Sequence, residues 1–496
     1  MPQPSAPSVR ALVARTVHDD VTDRSLLWAL GLVVSVVTAL GVPAHATFGA
    51  RAAVDEPQYL LTAISLGNDG DLDISDELAE EAYRPFHRVD LPRQTHPVGE
   101  SAREVSPHDP LLPLLLAAPM RIGGWPMARA TIAVMAGALA ALTAWTAIRR
   151  FGVSHPVAIM VTGAFACSAP LATYATQVYP ELPAALAAMA GVAGVTAAPR
   201  WRSVAVVIVA VVALPWLSVK YGLVAASIAA AALWQWRANR RLVASGAGAF
   251  AVTAVAYLLA HRHLYGGWTS YASSGYFAEH GELSVTGDEP NYLGRTRRVV
   301  GLLVDDGFGI AMWMPAWLFA PVGIGLLWRH RPDGLALLMV PLAAGWFTAT
   351  FVALTMHGWW WPGRQVVVVL PLAIIVVAAV ADAVPRLRPA FAAAAAIGVV
   401  TWLWTTIEAI MRRHVLVVDF ERTGNPWVQL WRLVLPDGRT PTAGDTVLLA
   451  AWTVLLGASA GLGWRYADAG VATTPRAIAA TEESRSGARG TKPIKS

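Results

Sequence analysis

The chain has 496 residues, 55% of them hydrophobic and only 14% charged, against about 25% charged in an ordinary soluble domain. With a mean hydropathy of +0.48, this excludes a soluble globular enzyme and points to an all-α polytopic membrane protein. The net charge of +5 follows membrane topology rather than nucleic-acid binding, and the single cysteine, Cys167, cannot form an internal disulfide.

Hydropathy predicts about twelve transmembrane helices (11–13) of ~20 residues. They fall at 25–45, 125–148, 155–172, 180–198, 203–219, 220–236, 243–262, 307–328, 334–355, 365–384, 389–410 and 444–464. Arg149, Arg150, Arg200, Arg202, Arg237, Arg240, Arg241, Arg329, Arg331, Arg386, Arg388 and Arg465 then fall on one side. The positive-inside rule makes that side cytoplasmic, with both termini. The expected organisation is a cytoplasmic segment 1–24, a transmembrane domain 25–465 and a disordered cytoplasmic tail 466–496. Ala44-His45-Ala46 resembles a signal-peptidase site. The long preceding segment with Asp19, Asp20 and Asp23 favours a retained first span. The apolar stretch 110–122 is too short to cross and suits a re-entrant or interfacial segment.

The polar mass lies in the outer loops, above all the first, 47–124. It opens with Val54-Asp55-Glu56-Pro57-Gln58-Tyr59-Leu60 just beyond the first span. Pro57, Leu60, Leu61 and Ile64 share one face of a juxtamembrane helix expected to lie flat on the membrane, with Asp55, Tyr59 and Thr62 on another. Carboxylates are costly at the hydrocarbon edge, so Asp55 and Glu56 are candidate catalytic residues. Helix capping is the plainer explanation of the pair. Asp69, Asp71, Asp73 and Glu80 match positions of a calcium loop, but Ile74 stands where that loop needs glycine. A solvated turn is the better reading, and no metal site is expected.

Lys220 is the only lysine outside the tail, where Lys492 and Lys495 lie, and it sits between two apolar runs at the outer surface. A buried ammonium needs an anionic partner; snorkelling beside Trp216 and Tyr221 is the bland alternative. Gln177, Tyr179 and Glu181 occupy another outer turn, and Arg295, Arg297 and Arg298 precede the span near Gly307. His357-Gly358-Trp359-Trp360-Trp361-Pro362-Gly363-Arg364 is a very aromatic turn. Tryptophan rings stack on sugar faces and arginine forks bind phosphate. An interfacial aromatic belt explains single tryptophans equally well.

Five pieces together resemble the GT-C superfamily of integral-membrane glycosyltransferases, near the bacterial branch of protein O-mannosyltransferases and aminoarabinose transferases. They are Asp55 to Leu60, Gln177-Val178-Tyr179-Pro180-Glu181, Pro215 to Tyr221, Leu303-Val304-Asp305-Asp306-Gly307-Phe308-Gly309, and Trp361-Pro362-Gly363-Arg364. The resemblance implies transfer of a sugar from a polyprenyl-phosphate donor to an envelope glycan, lipid or protein acceptor on the outer face of the plasma membrane, with inversion. It implies an acidic residue of the first loop, Asp55 or Glu56, as base or acceptor-orienting group. Lys220 and Arg364, then Arg295 and Arg298, become candidate donor-phosphate ligands. Tyr59, Gln177, Glu181, His357, Trp360 and Trp361 become candidate substrate contacts. No cofactor is implied, and a divalent metal is not required. A lipid-linked sugar flippase, a secondary transporter and an inactive lipid-binding relative remain as alternatives.

Overall fold

The computed structural model describes residues 9–100, 103–273, 291–417 and 419–468. The chain is predominantly helical, as its composition requires. The longer helices, in chain order, are α1 (Val9–Ala39), α2 (Glu56–Asn68), α3 (Leu111–Phe151), α4 (His155–Ala166), α5 (Glu181–Val195), α6 (Trp201–Leu217) and α7 (Gly222–Gln235). They continue with α8 (Arg240–Tyr265), α9 (Ala320–His330), α10 (Leu335–Phe347), α11 (Leu370–Ala383), α12 (Arg388–Ile410) and α13 (Ala443–Asp468). The only sheet among the described residues is a two-stranded hairpin in the first loop, His96–Pro97 with Glu104–Val105.

Among the described residues, five segments are long and apolar enough to cross a membrane: Leu111–Phe151, Arg240–Tyr265, Leu335–Val352, Pro385–Ile410 and Ala443–Tyr466. Six further apolar helices are shorter, at 10–17 residues. The chain is thus a multi-pass membrane protein. One expected span is not a single helix: 307–328 breaks into Ile310–Trp313, a 3-10 turn Pro315–Phe319 and α9. Pro315 and Pro321 lack the N–H that would continue the ladder. The tail beyond residue 468 lies outside the described residues.

The 110–122 stretch is helical and separate from the span that follows. Gly123 and Gly124 leave the helical region (φ −141° and +64°), so α3 is two helices joined at a glycine pair. The first half packs on α2, with Gly67 against Ala117. The second half crosses α1 so closely that a Cβ on Gly137 would run into the Gly31 carbonyl, the small-residue contact by which membrane helices approach.

Helix α2 differs from the expectation of a helix lying flat on the membrane. Leu60, Leu61, Tyr59 and Thr62 are all buried. It is an internal element, enclosed between α3 and the outer turns, rather than a helix resting on a surface.

Helix direction sorts the charges. Asp55 beyond α1, Glu181 starting α5, Lys220 between α6 and α7, and Arg364 before α11 meet at one end of the bundle. Arg149 and Arg150 end α3, Arg200 follows α5, Arg237 follows α7 and Arg386 follows α11, at the opposite end. Ser154 binds Asp382 there, closing the α3–α4 turn onto the end of α11.

Candidate functional site

Four charged side chains form one chain of contacts. Arg364 donates from Nη2 to Asp55 Oδ2 at 2.6 Å and from Nε to Glu181 Oε1 at 2.8 Å. Lys220 Nζ donates to the same Glu181 oxygen at 2.6 Å. Glu181 is fully buried, while Asp55, Lys220 and Arg364 keep 18%, 16% and 10% of their side chains exposed. These three border a cavity of about 390 Å³, within the usual range of ligand sites.

Asp55 sits where a helix N-cap would, but its side chain makes no capping bond. The carboxylate is spent on Arg364 instead. Val54 before it has φ +59°, a left-handed conformation that is strained for a β-branched residue. Burial opposes charge on Asp55, yet Arg364 foremost, with Lys220 also contributing, holds the carboxyl below its ordinary value. The aspartate is therefore ionised and masked by the guanidinium.

Aromatic rings box the cations. Arg364 lies 4.4 Å from the Tyr179 ring centroid and 5.3 Å from that of Trp360; Lys220 lies 5.1 Å from that of Tyr221. Such stacking favours cations in partly dry sites. Trp359, Trp360 and Tyr271 also line the cavity. The Trp360 indole N–H is buried without a partner among the described residues. Tyr59 lines the cavity and stacks on His108 at 4.5 Å. Burial, and then the Asp55 and Glu181 charges, push the Tyr59 phenol well up, so it stays protonated. Burial pushes the His108 imidazole down. A single π turn, Thr348–Val352, closes another wall; such turns recur at functional sites.

Glu56, expected beside Asp55 in the chemistry, points elsewhere. It is fully buried and accepts from Arg129 Nη2 at 3.1 Å, the Val178 N–H at 2.8 Å and the Ala53 N–H at 3.2 Å. It does not line the cavity. Adjacent residues at the start of a helix point about 100° apart, so one carboxylate reaches the cavity and the other the core. Arg129 ties this node to the carbonyls of Val42, Ala44 and Arg51.

Other candidates also separate. Arg298 donates to the Ala353 and Leu354 carbonyls at 2.7 and 2.9 Å, and Arg295 to the Phe351 carbonyl. Both line a different cavity, of about 800 Å³, on the far side of the 351–355 segment. They brace the shared wall instead of joining Lys220 and Arg364. His357 faces that second cavity, 3.2 Å from Asp305 Oδ2. Trp361 is buried core, 4.7 Å from the Trp313 ring and 5.5 Å from Phe420. Gln177 is buried with neither amide atom partnered among the described residues, and it does not line the Asp55 cavity. Asp71 and Asp73 spend oxygens on the Asp73 and Ser75 N–H groups of their own turn and on the Glu104 N–H of the hairpin.

Asp109 was not anticipated. Its Oδ1 accepts from the Tyr257 hydroxyl and lies beside His261 Nε2, each at 2.8 Å. Its Oδ2 accepts from Ser270 at 3.1 Å and from the Val219 N–H at 3.2 Å. It thereby pins the turn that carries Lys220 to the first loop and α8.

No family model matches the chain, and no curated protein matches it. Among solved structures, it is similar to ArnT from Cupriavidus metallidurans bound to undecaprenyl phosphate. The two share 14% identity with a TM-score of 0.49, over 88% of this chain and 77% of that one.

Proposed function

We propose that this protein is a glycosyltransferase that moves a sugar from a polyprenyl-phosphate donor to an acceptor on the extracytoplasmic face. The observation that carries the reading is the Asp55–Arg364–Glu181–Lys220 chain of contacts at 2.6–2.8 Å, bordering one cavity. Two cations are held side by side by a buried carboxylate, which suits a phosphate, and a second, partly exposed carboxylate rests on one of them. The basic loops at the opposite bundle end support an outward-facing cavity.

The donor phosphate takes Lys220 and Arg364 and, being an anion, displaces Asp55 from the guanidinium. The freed carboxylate accepts the proton of the acceptor hydroxyl as its oxygen bonds the anomeric carbon. The bond from that carbon to the phosphate oxygen breaks, and its electron pair leaves with the phosphate. Lys220 and Arg364 stabilise that charge. Attack opposite the leaving group inverts the anomeric configuration. Trp360, Trp359 and Tyr271 are suited to stack on the sugar.

The test is incubation of the purified protein with a panel of polyprenyl-phosphate sugars and an envelope-lipid acceptor extract. Release of polyprenyl phosphate, lost in Asp55→Asn, is the expected result. Movement of intact lipid-linked sugar across vesicles, with no release from any donor, would replace transfer with flipping.

A further inference from the structure

Another cavity, of about 200 Å³, is lined by His45, Arg51, Arg88 and Arg412, with Phe48 and Val415 among its apolar walls. It shares no lining residue with the Asp55 cavity. No carboxylate lines it among the described residues. No ion pair among those residues reaches Arg51, Arg88 or Arg412. Three arginines around one small cavity without a counter-charge repel one another.

The site is built rather than incidental. His45 is only 8% exposed, and its Nδ1 is buried without a partner. A buried polar atom left unpaired is costly unless something fills the place. Arg51 is fixed by donating to the Pro43 carbonyl at 2.6 Å and by stacking 5.3 Å from the Trp125 ring. Arg412 occupies a left-handed position, φ +57°, just past the end of α12. Glycine is the usual residue there, so the charge is kept against a backbone cost.

Three segments are stitched around the cavity by main-chain bonds. Leu416 and Val417 N–H groups donate to His45 and Ala46, at 3.1 and 3.0 Å. Arg51 and Ala52 donate to Phe86, at 3.0 and 3.2 Å, and Arg88 to Gly49 at 3.2 Å. Burial, then Arg51 and Arg412, push the His45 imidazole down, opposed by its bond to the Ala409 carbonyl; burial, then Arg129 and Arg88, push Arg51 down. An anion in the cavity would offset the repulsion among the arginines. Phe48, Val89 and Met411 are 60%, 49% and 55% exposed, an apolar surround suited to acyl chains.

We propose that this cavity binds a phosphate group, carried by an anionic lipid headgroup or free in solution, at a site separate from the Asp55 cavity. The arginine forks supply the donors that such a group accepts.

The experiment uses the full chain in phosphatidylcholine nanodiscs, in a Lys220→Met background that weakens anion binding in the other cavity. Inorganic phosphate is titrated by calorimetry. Phosphatidylglycerol retention is compared with phosphatidylcholine by native mass spectrometry. The expected result is selective retention of phosphatidylglycerol, saturable phosphate binding, or both; lipid alone assigns a headgroup site, and phosphate binding assigns recognition of the free anion. Arg88→Gln should weaken binding by about tenfold or more. Arg412→Gly should weaken it similarly while raising the thermal midpoint, because glycine relieves the left-handed backbone. That opposition of signs separates lost binding from lost folding. Absence of both ligands from the parent protein, or unchanged binding in both variants, overturns the proposal.

Discussion

Lys220 and Arg364 converge on a single oxygen of Glu181, at 2.6 and 2.8 Å. Two like charges are thus held together by one buried carboxylate, and the pair faces the cavity as a unit. Glu181 is fully buried behind the cations and does not itself line the cavity. Its second oxygen is buried with no partner among the described residues, and removing its charge leaves Lys220 without its carboxylate and Arg364 with Asp55 alone. Glu181→Gln should destabilise the fold by about 3 kcal/mol or more, the usual result of breaking one side of a buried pair. A thermal midpoint equal to that of the parent protein would mean the cations find other partners.

Asp55→Asn isolates the chemistry. Asp55 makes no capping bond, so the substitution leaves α2 intact, and Arg364 stays pinned by Glu181. Transfer should fall to background while the melting temperature stays close to wild type. Donor phosphate should bind as well or better, because the competing carboxylate on Arg364 has lost its charge. Measuring release of polyprenyl phosphate beside donor affinity checks both halves. Activity near wild type would remove Asp55 as the base.

Asp55 and Lys220 are legible in the sequence because each is an ionised group in apolar surroundings and needs a partner; Arg364 is legible as the arginine that ends a tryptophan-rich turn. Their helices alternate in direction, so topology alone put them at one bundle end. The roles were harder to read. Trp360 and Trp361 are neighbours in an aromatic turn, but one lines the cavity and the other is core. The difference lies in a turn whose geometry no pattern encodes. Arg295 and Arg298 are basic residues just ahead of an apolar run, which gives no hint that they brace the back of the 351–355 segment. Asp109 sits between a histidine and a proline, with no motif around it. Arg129 carried a signal: it is a lone charge near the start of an apolar span, where an ionisable group implies a buried partner.

That partner is Glu56, and the pair is structural. Arg129 and Glu56 are 3% and 0% exposed, and together they join α2, α3, the first loop and the Val178 turn. Glu56→Gln should cost about 3 kcal/mol or more of stability by stranding the guanidinium. The donor affinity of whatever fraction folds should be unchanged. Folded yield and thermal midpoint, read beside donor binding, separate this from a catalytic role. A well-folded variant with lost turnover would return Glu56 to the chemistry.

Glu77 supplies a pH dependence outside the membrane-spanning segments. Burial, reinforced by Asp76, raises its carboxyl from 4.5 to about 8. The native chain then keeps a proton that the unfolded chain releases near its ordinary value. Where the native state binds more protons, stability falls as pH rises. The contribution is therefore intact below the ordinary value and is lost progressively up to about pH 8. Thermal midpoints of wild type and Glu77→Gln, measured across this range, should diverge as pH rises, the wild type losing ground. Parallel curves would show that the carboxyl ionises normally.

Lys220 tests the anion-binding half of the site. Its side chain keeps 16% exposure and lines the cavity, and its ammonium is held by Glu181 and lies over the Tyr221 ring. Lys220→Met retains length and packing but removes the charge. A charge-assisted hydrogen bond is worth about 1.5–3 kcal/mol, so donor-phosphate affinity should fall roughly ten- to a hundredfold. Lys220→Arg keeps the charge but replaces a compact ammonium with a planar fork, next to a second guanidinium already on the same carboxylate. It should recover part of the affinity. Loss in the methionine variant with partial rescue in the arginine variant, measured with polyprenyl phosphate, identifies the lysine as a phosphate ligand. Equal affinity in all three proteins would leave Arg364 as the sole anchor and reduce Lys220 to a partner of Glu181.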